Sequence, residues 1–165
     1  MNLKVILIGG LITVLIIAGA IVVMSRAPNA VKLEKSDSGQ FFTDHASYDW
    51  GEIDYGGGVA NHVFEIKNSG SKPLKLANVK TSCMCTTAKL IVKSGNSPIF
   101  RMHQVSDWQG TLEPGETAQL EVNFDPTFHG PSGTGPIERI ISVETSDPAK
   151  SNIEFNLKGV VIKNG

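Results

Sequence analysis

Residues 117–124 (TAQLEVNF) alternate polar and apolar side chains strictly, which puts Leu120, Val122 and Phe124 on one face. A period of two marks a half-buried strand, because successive side chains of an extended chain point to opposite faces. The same kind of segment recurs at short intervals. Tyr48, Trp50 and Ile53 form a run closed by Gly56-Gly57-Gly58, and 59–67 (VANHVFEIK) ends at the turn residues Asn68-Ser69-Gly70. In 73–80 (PLKLANVK), Leu74, Leu76 and, after a shift, Val79 point inward, with Lys72, Lys75 and Lys80 outward. Further strands are expected at 86–93, 137–145 and 152–162, with Pro114-Gly115-Glu116 as another turn. No useful helical periodicity appears after the N-terminal segment. About seven short strands at this spacing predict an all-β fold, an antiparallel β-sandwich.

Residues 5–24 (VILIGGLITVLIIAGAIVVM) carry no charge. At about 1.5 Å per residue they span roughly 30 Å, the thickness of a bilayer core, so one N-terminal transmembrane helix is expected. The rival is a cleaved signal peptide, for which Ala18-Gly19-Ala20 has the small-x-small form. The apolar run continues past that site, which favours an uncleaved anchor over 1–26. Residues 27–45 are then a stalk and 46–165 the sandwich. The expected setting is the cell membrane, crossed once, with the C-terminal domain extracytoplasmic and the membrane itself a partner through residues 5–24.

Lys and Arg total 15 and Asp and Glu 16. Lys4 and Arg26 precede the stalk, leaving 13 cations against 16 anions beyond it. That balance offers no footprint for nucleic acid or anionic lipid. Neither G-x-x-x-x-G-K-[ST] nor G-x-S-x-G occurs, and the Gly-rich stretch 130–135 lacks the lysine a phosphate loop needs. No carboxylate pair is marked out for acid–base work.

The order YDWGEI (48–53), FEIKNSG (64–70), PLKL (73–76), SCMCT (82–86), PGE (114–116), LEVNFD (120–125) and LKG (157–159) resembles a bacterial family, the domain of unknown function numbered fifteen-seventy-three. The resemblance implies an immunoglobulin-like sandwich, similar to major sperm protein and Hydin-type domains, in an exported setting. It implies no activity. The family's usual element is Ser-Cys-Gly-Cys-Thr, and here Met84 replaces the glycine.

Cys83 and Cys85 are the chain's two cysteines, with Met84 between them. On an extended backbone both thiols share a face. Four readings follow. The cysteines are small core residues; or they form a disulfide, for which the chain must bend at Met84; or they bind copper(I); or they bind zinc with His103 and His129 as the third and fourth donors, with C-x-C tighter than the usual zinc clip. The copper(I) reading draws on Cys83, Cys85, Met84, His129, Met102 and His103, a soft donor set. In an up-and-down sandwich the Cys corner and the His129 loop fall at the same end. The connection carrying Met102 and His103 starts at the opposite end and must fold back to reach it. His45 and His62 read as surface or strand histidines. The expected protein is non-enzymatic and binds copper(I) at the cell surface. The alternatives are a protein-interaction module with a surface partner, and a thiol redox protein.

Overall fold

The computed structural model describes residues 2–24, 30–35 and 39–163. Helix α1 covers Leu3–Met24. The strands are β1 (Phe41–Phe42), β2 (Ser47–Asp54), β3 (Ala60–Asn68), β4 (Leu74–Thr81), β5 (Thr86–Ile91), β6 (Gln109–Leu112), β7 (Thr117–Phe124), β8 (Gly135–Thr145) and β9 (Asn152–Ile162). They form a four-stranded sheet, β1-β3-β7-β5, and a five-stranded sheet, β2-β9-β8-β4-β6. The expected two-sheet sandwich is therefore present.

Three corrections follow. The expectation of a transmembrane helix at 5–24 is overturned: among the described residues no helix is long and apolar enough to cross a membrane. Second, the described residues hold nine strands rather than about seven. The additions, β1 and β6, are too short to show a period. Third, the pairing is not wholly antiparallel, because β2 runs parallel to β9, with Ser47 opposite Asn156 and Asp54 opposite Ile162. A register shift between Asp49 and Glu52 interrupts that ladder, and Gly51 takes the positive φ of 66° within it.

The core lies between the sheets. Phe64, Ile66, Leu90 and Leu120 of one sheet face Leu74, Leu76, Ile141, Phe155 and Leu157 of the other, all fully buried. The shift in alternation between Leu76 and Val79 is a bulge in the β4–β8 ladder, where Asn78 adopts a φ of 50°. Its amide serves the segment expected to be a stalk: Nδ2 donates to Val31 O at 2.6 Å, and Oδ1 accepts from Val31 N at 3.0 Å. Leu33 is buried and Lys35 Nζ donates to Thr145 O at 2.6 Å. The described residues 30–35 are thus held against the sandwich. Residues 27–29 and 36–38 of that stalk lie outside the described residues.

A smaller apolar cluster closes one end of the sandwich. It contains Ile53, Cys85, Phe124, Ile137 and Val161, with Trp50, Tyr55, Ala60 and Cys83 packed against it.

Between β2 and β3, the His62 ring lies flat on Tyr48, centroids 3.6 Å apart, and edge-on to Phe64 at 4.5 Å. Its Nε2 is buried without a hydrogen-bond partner. Burial, and then the charge of His45, hold the His62 pKa below its ordinary value. The unfolded chain therefore binds the proton more readily than the folded one. The resulting stability is fully present above the ordinary value of 6.5 and is lost as pH falls through the folded-state value. Thermal melting is expected to drop as pH falls below the ordinary value of 6.5, and His62→Gln is expected to flatten that drop. An identical acid loss in both proteins would reject His62 as the cause.

Candidate functional site

The Cys corner joins the two sheets: β4 belongs to the five-stranded sheet and β5 to the four-stranded one. A chain crossing between layers must turn, so residues 82–85 form a bend and turn rather than the extended segment expected from sequence. Ser82 N donates to Ile140 O and Ser82 Oγ accepts from Ile140 N, both at 2.9 Å, which pins the turn to β8. Asp125 N donates to Cys85 O at 2.9 Å, pinning it to the end of β7. The bend brings the Cys83 and Cys85 Cα atoms to 5.3 Å, and the two sulfurs are bonded as a disulfide. Among the four readings, this geometry is that of the disulfide.

The two sulfurs have different surroundings. Cys83 is half-buried, and its Sγ lies 3.4 Å from Nε2 of the exposed His129. The residues around His129 explain its place. Asp125 Oδ1 accepts from Thr127 N at 2.8 Å and from Thr127 Oγ1 at 2.7 Å, which tightens the loop after β7. A Cβ on Gly133 would lie 2.9 Å from His129 Cβ, so the glycine makes room for the ring's base. Cys85 is 3 % exposed. Its Sγ accepts a hydrogen bond from Arg139 Nε at 3.2 Å and lies 3.6 Å from Thr86 Oγ1.

Arg139 is the residue that sequence reasoning missed. In β8 it alternates with Ile137, Ile141 and Val143, which are buried, so a cation occupies an inward position. That break in the pattern was the available signal. Its Nη1 donates to Glu138 O at 2.7 Å, and its guanidinium lies 5.2 Å from the Phe124 ring centroid. Burial holds its pKa below the ordinary guanidinium value.

The donor atoms of Cys83, Cys85 and His129 all lie within 4.8 Å of one another; no other such group of three or more His, Cys, Asp or Glu occurs among the described residues. His103 is not in that group. The connection carrying it does fold back: Ser97 N donates to Leu90 O at 2.9 Å, and Phe100 bridges Ala88. Met102 and His103 end beside Lys80 and Thr81, lining a separate cavity, and His103 has a φ of 64°. Met84 is 42 % exposed and faces a depression of about 200 Å³ that it shares with Cys85, Arg101 and Phe128.

Fold and corner together define an immunoglobulin-like β-sandwich that carries a short-loop disulfide at one end, between a histidine and an arginine. Residues 41–98 match the family described as "Protein of unknown function (DUF1573)". Among solved structures, a protein of unknown function from Porphyromonas gingivalis W83 matches with a TM-score of 0.58 and 22 % identity. That match covers 78 % of this chain and 50 % of the other, so this chain spans half the length of that protein. The ASH/PapD-like domain of human CEP192 matches at 20 % identity and TM-score 0.49, covering 84 % and 97 % of the two chains. WR4, a C. elegans MSP family member, matches at 13 % identity and TM-score 0.40, covering 75 % and 99 %. No curated protein matches this chain.

Proposed function

We propose that the chain is a thiol–disulfide exchange module working outside the cytoplasm. One observation carries this reading: the Cys83–Cys85 disulfide sits with one half-exposed sulfur beside an imidazole and one buried sulfur on a guanidinium. A disulfide persists in an oxidising compartment, which supports the extracytoplasmic setting. A purely structural cross-link gains by closing a long loop, whereas this one spans a sequence separation of 2 and adds little to stability that way. The net reaction is two-electron exchange. A dithiol partner becomes a disulfide, and Cys83 and Cys85 become thiols, taking up the two protons the partner gives. This reading takes the thiol redox alternative ahead of the non-enzymatic one.

The test equilibrates the purified chain with glutathione buffers of graded ratio and counts alkylatable thiols by mass. The expected result is a single two-electron transition in the wild type, absent in Cys83→Ser and Cys85→Ser. A disulfide that stays closed across the whole range in the folded chain would overturn the reading.

A separate observation favours a second reading of the reduced corner. Three soft donors within 4.8 Å of one another suit copper(I), which prefers thiolate and imidazole ligands. A structural zinc site takes four protein ligands, and His103, the fourth donor of the zinc reading, is not in the group. Oxidation to the disulfide removes both thiolates, so copper binding and the disulfide are alternative states of one corner. Anaerobic titration of the reduced chain against a copper(I) chelator is expected to show one equivalent retained, lost in Cys83→Ser and weakened in His129→Ala. Unchanged copper affinity in Cys83→Ser would exclude this reading.

A further inference from the structure

We infer that exchange at this corner has a fixed polarity, in which Cys83 is the sulfur attacked, Cys85 the sulfur released, and Arg139 a catalytic residue that holds the released thiolate. The inference rests on the exchange reading above and adds the direction of the reaction and the group that sets it.

Access comes first. Thiol–disulfide exchange proceeds by attack of a thiolate on one sulfur along the S–S axis, with the other sulfur leaving. Cys83 is half-buried at the rim, while Cys85 is 3 % exposed within the small cluster of Ile53, Phe124, Ile137 and Val161. An incoming thiolate reaches Cys83 from solvent. Cys85 also borders the depression it shares with Met84, but with 3 % of the residue exposed it offers an incoming thiolate almost no surface.

The second consideration is where the electron pair goes. The departing sulfur becomes an anion, and an anion in an apolar cluster is costly without a charged donor. Arg139 supplies one, its Nε–H already donating to Cys85 Sγ at 3.2 Å. Hydrogen bonds with an ionised partner are roughly twice as strong as neutral ones, so this contact strengthens as negative charge builds on Cys85. The guanidinium is in place beforehand, anchored by its Nη1 bond to Glu138 O and resting on Phe124.

The steps balance. A bond forms between the incoming sulfur and Cys83 Sγ, the Cys83–Cys85 bond breaks, and its electron pair passes to Cys85. A second thiolate of the partner then attacks the partner's own sulfur in the mixed disulfide, and Cys83 leaves as a thiolate facing His129 Nε2. The partner is oxidised by two electrons and the corner reduced by two. A cysteine pair on a polypeptide meets this requirement.

The experiment uses the full chain, metal-free and oxidised, mixed with glutathione, quenched in acid and alkylated, with the modified site assigned by fragmentation mass spectrometry. The expected product carries glutathione on Cys83 and the alkyl group on Cys85. Glutathione on Cys85, or an even split, overturns the inference. The rate of mixed-disulfide formation is expected to fall about tenfold or more in Arg139→Gln and to recover most of that loss in Arg139→Lys, which keeps a charged donor. Equal rates in wild type and Arg139→Gln would also overturn it. If Arg139→Gln fails to fold, the site assignment in the wild type decides alone. A wild-type chain that forms no mixed disulfide at either cysteine sinks the exchange reading itself, a result distinct from exchange at the wrong sulfur.

Discussion

Phe155→Ala is expected to cost about 4 kcal/mol, the larger of the two strongest stability effects in this protein. Phe155 lies on β9 and is fully buried. Its ring meets Phe64 of β3 at 4.8 Å and Phe41 of β1 at 6.4 Å between centroids. It therefore bridges the sheets and also packs against Phe41 of the two-residue strand β1. Truncation removes the transfer free energy of a ring and leaves a cavity that β-sheet walls close poorly. A domain of this size has roughly 5–15 kcal/mol in all, so such a loss is a large share. Urea unfolding of the oxidised protein measures it. A loss below about 1 kcal/mol would mean that the two sheets do not depend on this contact.

Asn68→Ala is expected to cost about 3 kcal/mol for a different reason. Asn68 ends β3 and is fully buried. Its Oδ1 accepts from Gln40 N at 3.1 Å and Gly70 N at 3.0 Å, and its Nδ2 donates to Lys72 O at 2.8 Å and Leu112 O at 2.9 Å. One amide thus satisfies backbone groups from four places in the chain. Alanine leaves those partners without it, and a buried unpaired backbone group costs about 1–3 kcal/mol. Asp at this position has the right shape but the wrong chemistry: it cannot donate to the two carbonyls and brings a charge beside them. Asn68→Asp is accordingly expected to recover none of the loss. If Asn68→Asp melted like the wild type, the donor bonds would not be what matters. Space is tight as well, since a Cβ on Gly39 would lie 2.5 Å from Lys72 O and 2.6 Å from Asn68 Oδ1.

The candidate site divides along similar lines. Cys83 and Cys85 stand out in the sequence because the chain has no other cysteine, and His129 followed from counting which loops share an end of a sandwich. Arg139 did not emerge, because a single cation in a strand reads as an edge or solvent residue until its neighbours across the sheet are known. Met102 and His103 carried the right chemistry on paper. Their loop does fold back along β5, but His103 stays outside the close donor group and both residues line a separate cavity beside β4. Adjacency of donor types in a sequence says nothing about which cavity they line.

What the sequence alone determined is local: the strands β2 to β5 and β7 to β9, the turns at Asn68-Ser69-Gly70 and Pro114-Gly115-Glu116, and the bulge that shows as the broken alternation between Leu76 and Val79. These follow from side-chain alternation and turn chemistry within a few residues. Only the tertiary structure decided the parallel pairing of β2 with β9, the docking of residues 30–35 on Asn78, and the bend that bonds Cys83 to Cys85. It also decided the meeting of that disulfide with His129 and Arg139. Those features depend on contacts between segments up to about a hundred residues apart, such as Ser47 with Asn156. Partners of that kind are chosen by which faces bury together, and no window of neighbouring residues contains that information.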